Sequence, residues 1–163
     1  MSHYSLRREQ LLPISITEAW AFFSAPDNLK EITPPYMGFE TLSKPEKDYM
    51  YAGQIITYYI RPLLGLKLFW MTEITHVSEE NYFVDEQRFG PYAFWHHTHF
   101  FYPVPGGVKM VDLVHYKLPF GFLGKFAHWL FVKKQLHGIF DFRHQVLLNR
   151  FGSFPVQKEK PST

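Results

Sequence analysis

Cysteine is absent from the 163 residues, so neither a disulfide framework nor thiolate chemistry is open to this chain. One-sided charge is missing too: 17 basic residues meet 15 acidic ones, a formal +2, with the signs interspersed. No basic stripe of the kind that neutralises a phosphate backbone results, which argues against a nucleic-acid partner. No run approaches the ~20 apolar residues of a membrane span, and Met1 to Gln10 lack the apolar core of a signal peptide. A soluble, cytoplasmic protein is expected on these grounds. There is no nucleophile elbow and no glycine-rich loop ahead of a helix, so hydrolase and nucleotide-dependent chemistry are set aside. With no repeat, low-complexity block or linker, one domain over residues 1–152 is expected, followed by a disordered tail over 153–163.

What the chain has in excess is apolar surface. Hydrophobic residues make up 46% and aromatic ones 19%, more than a lean core of this size needs, and the surplus can line a cavity.

Taken in order, Tyr4 to Leu12 reads as a strand ended by Pro13. Ser15 and Glu18 form a capping box ahead of Ala19, Trp20, Phe22 and Phe23, with Ile14 and Ala19 placed as a hydrophobic staple. A second short helix is expected from Pro26-Asp27 to Glu31, stopped by Pro34-Pro35. Six extended segments follow, at about 36–43, 53–61, 66–77, 82–89, 93–102 and 108–118, separated by Gly, Pro, Asn and Ser turn chemistry. Connections this short imply an antiparallel meander.

A long helix from Leu123 to Phe151 closes the pattern, with Gly152 as its C-cap. At 100° per residue, Val132, Leu136, Ile139, Phe140, Val146 and Leu147 fall on one side and Lys134, Asp141, Gln145 and Asn149 on the other. In the first third (Leu123, Phe126, Ala127, Leu130 and Phe131) the apolar side is almost opposite, so the buried face changes near Val132. A seven-stranded antiparallel sheet must cover one face, and only this helix is long enough to do so. The expected fold is α+β, a curved sheet around the C-terminal helix with two short helices between the first two strands.

That order of elements is shared with a known group, and so are several motifs. These are Phe83-Val-Asp85-x-Gln87-x-x-Gly90-Pro91, Trp95-x-His97-x-His99-x-Phe101, Asp112-x-Val-x-Tyr116-x-x-Pro119 and Phe140-x-Phe-Arg143. Together they resemble the SRPBCC superfamily, the helix-grip group that includes START lipid-transfer domains and the birch pollen allergen. Within it the resemblance is to a bacterial subgroup labelled cyclase/dehydrase-like or ligand-binding, some members of which are fused to a sugar-epimerase-like domain. The resemblance covers residues 4–150. It implies a deep pocket between sheet and helix, and it supplies no catalytic residues.

Strand alternation places Phe83, Asp85 and Gln87, then Trp95, His97, His99 and Phe101, then Met110, Asp112, Val114 and Tyr116 on one face, taken as inward. Phe94 and Phe100 lie on the other. Two carboxylates, two imidazoles, an amide and a phenol make that face too polar for a plain core. Either they orient a small hydrophobic or amphipathic ligand (lipid-, polyketide- or isoprenoid-like), or they form a satisfied network that binds nothing. With Trp70, Phe140 and Arg143, these residues make up the candidate ligand site. The His-x-His pair lacks a fixed third ligand, so no metal and no cofactor is expected. A cyclase- or dehydratase-type enzyme using the same histidines and acids is the alternative function.

Arg143 interrupts the later apolar face of the helix, which calls for an internal acid such as Asp85 or Asp112, or for an anionic ligand head. The segments Pro62 to Trp70 and Phe120 to Phe131 are more apolar than a turn and a helix start require. They read as a gate over the pocket mouth, as a dimer or membrane-surface patch beside Lys125, Lys133 and Lys134, or as mutual cover. Oligomeric state is not legible.

Overall fold

The computed structural model describes residues 3–44, 47–62 and 65–155. The first strand, β1 (Tyr4–Leu12), is followed by helix α1 (Ile16–Phe23), where the Ser15 side chain accepts from the Glu18 backbone N–H. Trp20, Phe22 and Phe23 bury α1 against the sheet.

Two differences from expectation follow. The second short helix is only a 3-10 turn, Pro26–Leu29, with a further one at Pro35–Met37. The expected strand over 36–43 shrinks to β2 (Glu40–Thr41). Proline explains the second: Pro34-Pro35 removes two backbone donors, which fits the helical first turn at Pro35–Met37 but not a ladder.

The remaining strands are β3 (Gln54–Ile60), β4 (Leu68–Ser78), β5 (Tyr82–Phe89), β6 (Phe94–Val104) and β7 (Gly107–Lys117). Each pairs antiparallel with the next from β2 to β7, and β1 joins the far edge against β7 in register Tyr4↔Tyr116 to Leu12↔Val108. Register shifts in β4 at Met71/Thr72 and Ile74/His76 mark bulges, which bend a strand and help the sheet curl.

Its concave face holds the C-terminal helix. That helix starts as α2 (Gly121–Ala127), passes through one π-helical stretch (His128–Val132) and continues as α3 (Lys133–Phe151), ending at Gly152 with φ +88°. The π stretch is the physical reason for the reversal of the apolar side: widening one turn rotates everything after it about the axis. Leu123 and Phe126 before it and Leu130 within it face outward; after it Leu136, Phe140, Arg143 and Leu147 are buried.

Polar ties fix α3 over β1. Arg8 reaches His137 Nδ1 at 2.8 Å and Asp141 at 3.0 Å, and Gln10 donates to the carbonyl of His144. Of the tail expected from residue 153, Phe154 lies half-buried against the Gly106-Gly107 turn, and residues 156–163 lie outside the described residues.

Candidate functional site

Register alone assembles the polar cluster. Asp85 on β5 sits opposite His97 on β6, and His99 sits opposite Asp112 on β7, all on the concave face. The two imidazoles lie close together, centroids 3.7 Å apart and planes tilted by 38°. Each is held between both acids. His97 places Nε2 3.0 Å from Asp112 Oδ1 and Nδ1 3.3 Å from Asp85 Oδ2. His99 places Nε2 2.8 Å from Asp85 Oδ2, while its Nδ1 is 3.0 Å from Asp112 Oδ1 but out of line for a hydrogen bond.

Charge follows from this geometry. Burial alone would raise the Asp85 carboxyl, but the charge of His97 and the hydrogen bonds of both imidazoles outweigh it and hold Asp85 well below the usual carboxylate range. Asp112 is also held low, against burial, chiefly by the Arg143 charge and then by the imidazoles. For His97 burial pulls down, yet the Asp85 charge and the Asp112 hydrogen bond win and raise it to about 8.

Arg143 comes down from α3 onto this cluster, 7% exposed, with one guanidinium nitrogen 3.4 Å from Asp112 Oδ1. Its other terminal nitrogen meets Met110 Sδ at 3.7 Å, and its Nε is buried with no hydrogen-bond partner among the described residues. The guanidinium also lies over the rings of Phe23 and Phe140, 5.3 and 5.9 Å from their centroids. A planar fork with five donors is therefore under-used.

Between this cluster, α3 and strands β3 to β6 lies a cavity of about 180 Å³. Of the candidate residues, Trp70, Phe83, Asp85, Trp95, His97, His99, Phe140 and Arg143 line it. The others lie elsewhere. Asp112 stands behind the histidines, Met110 lies under Arg143, and Phe101 is wedged against Trp20 and Phe23 of α1. Val114 and Tyr116 pack with Leu136 and Phe140 in a separate part of the core, where Tyr116 Oη is 2.8 Å from His128 Nε2. Gln87 closes the β5–β6 turn by bonding both the N–H and the carbonyl of Tyr92.

The wall also includes residues outside the sequence-derived set: Ile56, Tyr58 and Ile60 on β3, Thr72 and Ile74 on β4, and Ile139 on α3. Their signal was available, because β3 alternates buried Gln54, Ile56, Tyr58 and Ile60 with more exposed neighbours. Gln135 of α3 contacts the Pro62 carbonyl, and both residues line the cavity. Of the apolar segment expected to gate the pocket mouth from Pro62 to Trp70, residues 63 and 64 lie outside the described residues.

Among the described residues a metal has one conceivable seat. Asp85, His97 and His99 each offer a ligand atom, and these lie within 4.8 Å of one another. The nitrogens that would bind it already face carboxylates, and a proton on His97, favoured up to about pH 8, competes for the same lone pair.

No protein-family model and no curated protein matches the sequence. Solved structures match its fold. Protein TTHA0849 from Thermus thermophilus superposes with a TM-score of 0.64 over 90% of this chain and 99% of its own, at 17% identity. A norcoclaurine synthase point mutant from Thalictrum flavum, in complex with a transition-state analogue, gives 0.63 over 91% and 96%, at 14% identity. The nucleoside-diphosphate sugar epimerase of Corynebacterium glutamicum is similar over part of its length, 88% of this chain matching 28% of that one with a TM-score of 0.61 and 18% identity. What is shared at these identities is the fold, and that fold is the helix grip.

Proposed function

We propose that the protein binds a small, neutral amphipathic molecule in the cavity between sheet and α3, with a polar oxygen directed at Arg143. The observation that carries this reading is a mostly apolar cavity with a buried, incompletely satisfied donor on its wall: Arg143 Nε has no hydrogen-bond partner among the described residues. Apolar walls with a few convergent polar groups are what a small-molecule site requires.

Size and charge narrow the class. An apolar cavity of roughly 150 Å³ holds a benzene molecule, so 180 Å³ suits one or two rings or a short isoprenoid, and a long acyl chain exceeds it. The carboxylates of Asp85 and Asp112 are already answered by Arg143 and a protonated His97. A ligand carboxylate would leave an unanswered buried charge, which favours a carbonyl or phenol oxygen instead. The resemblance to the cyclase/dehydrase-like subgroup points to the same chemistry, a polyketide- or isoprenoid-like compound.

A second reading makes this ligand the substrate of a cyclase- or dehydratase-type enzyme. It draws on His97, which lines the cavity with its proton poised near pH 8. Binding without turnover is favoured because both nitrogens of His97 are held by carboxylates, leaving neither free for a substrate atom.

Native mass spectrometry of the protein purified from its own host, followed by calorimetric titration with 2-naphthol and 2-naphthoate, tests both. A retained small molecule and tighter binding of 2-naphthol are expected, lost in Ile56→Trp, which fills the wall. Conversion of the retained molecule on incubation would turn the reading toward the enzyme, tighter binding of naphthoate would restore the anionic head, and binding of neither compound would end the proposal.

A further inference from the structure

The apolar surface at the start of the C-terminal helix has no cover among the described residues. Phe120, Phe122 and Trp129 are 80%, 78% and 76% exposed, and Leu123, Phe126 and Leu130 are more than half exposed. They form one stripe, since Phe122 and Phe126 are a helical turn apart and the Phe126 and Trp129 rings stand 6.2 Å apart. The π stretch keeps them there: Val132 is buried, and His128, stacked on Tyr4 at 3.5 Å and bonded to Tyr116, is turned to the protein, so Trp129 and Leu130 project away. Phe120 adds a second sign. It occupies a left-handed conformation, φ +64°, unfavourable for a bulky side chain, while its ring stands in solvent and gains nothing inside the fold to offset the strain.

Charge around the stripe is one-sided. Residues 113–140 contain Lys117, Lys125, Lys133 and Lys134 and no acid, although the rest of the chain holds all fifteen acids and is net negative. Lys125, Lys133 and Lys134 are exposed on the same stretch of helix as the aromatic rings. A two-fold contact with another copy would set these lysines against their own kind, with no acid in the segment to answer them. An anionic lipid surface answers both features at once, because phenyl, indole and leucyl groups enter the acyl boundary while the ammonium groups remain among the headgroups. Neither α2 nor α3 is long and apolar enough to cross a membrane, so the contact is interfacial.

We propose that the Phe120–Lys134 segment docks the protein on an anionic phospholipid bilayer. Gln135, whose contact with Pro62 forms part of the cavity wall, follows directly on this segment.

Flotation with phosphatidylcholine vesicles, with and without about 30 mol% phosphatidylglycerol, tests the proposal. Binding is expected only with phosphatidylglycerol, with loss in about 0.5 M NaCl and a roughly fivefold fall in partition for each of Lys125→Gln, Lys133→Gln and Lys134→Gln. Trp20 and Trp70 are buried and Trp95 is half-buried, so a blue shift of tryptophan emission on vesicle addition reports Trp129. Phe122→Ser with Trp129→Ser, both surface changes, should abolish flotation without altering thermal unfolding. No flotation of the wild-type protein with phosphatidylglycerol vesicles at low salt would overturn the proposal. So would a dimer in sedimentation that dissociates in the double variant, which would assign the stripe to a second copy.

Discussion

Replacing Arg143 by methionine removes the guanidinium and leaves an unbranched chain that can rest between the rings of Phe23 and Phe140, so the test isolates charge from packing. Breaking a buried ion pair by deleting one partner ordinarily costs ~3–5 kcal/mol, because the other charge is stranded. Here two facts reduce that figure. The contact to Asp112 Oδ1 is 3.4 Å, longer than the ~2.7–2.9 Å of a strong charge-assisted bond. Asp112 also keeps the two imidazoles at 3.0 Å. A loss of about 2–3 kcal/mol at neutral pH is therefore expected, read from urea unfolding by circular dichroism with an unchanged m-value.

The variant should also lean harder on His97. With Arg143 gone, the protonated imidazole is the main cation facing Asp112, so the penalty at pH 9, where His97 has lost its proton, should exceed that at pH 6. Asp112→Asn strands the arginine instead, and the double variant should recover part of either loss, since the two residues are coupled. A penalty below about 1 kcal/mol, equal at both pH values, would place the Arg143 charge in water and refute this account.

In the wild-type protein the folded-state pKa of His97, about 8, lies above its ordinary 6.5, so its contribution of ~2 kcal/mol is complete below pH 6.5 and lost as pH rises through 8. Stability should fall over that window and cease to do so in His97→Gln. Asp85 and Asp112, both lowered, contribute above the usual carboxylate range and lose that contribution in strong acid, so unfolding on acidification should begin below about pH 4. Phe140→Ala, at a 7% exposed position on the buried side of α3, should cost ~3–5 kcal/mol by the same urea assay, and a loss under 1 kcal/mol would contradict its placement. Gly107→Ala would drive a Cβ into the Leu12 carbonyl oxygen, so it should lower the melting temperature sharply, and a neutral result would show that β1 does not approach there. Gel filtration after zinc loading should leave less than one equivalent on the protein, and a retained equivalent lost in His97→Ala would establish a metal at Asp85, His97 and His99.

Alternation made most of the sheet legible from the residues alone. The period of two in β5 to β7 sorted the inward face, because a strand with one solvated side writes its burial into its sequence. The long helix and its C-cap at Gly152 were equally plain. The change of apolar side near Val132 was readable, but its cause was not, since no residue type signals a π stretch, and only the stacking of His128 on Tyr4 and its bond to Tyr116 reveal why it sits there. The prolines at 34 and 35 misled in the other direction, because the same residue ends a helix and opens a 3-10 turn. In the candidate site, the chemistry of the polar groups could be named from the strands, but not the division between groups lining a cavity and groups packed behind it. Val114 and Phe83 carry the same inward signal, yet one meets the helix and the other faces the void, a distinction set by sheet curvature rather than by any local pattern.

The strand order has a consequence during synthesis. β1 is translated about a hundred residues before β7, its hydrogen-bonding neighbour, so on a growing chain its Tyr4–Leu12 edge stays unpaired until Gly107–Lys117 has left the ribosome. An unpaired edge is a template for a wrong partner, and the run Arg7-Arg8-Glu9 places charge on it during that wait. Arg8 later ties β1 to Asp141 on the last helix, so one side chain that can keep the nascent strand from others also helps close the finished grip.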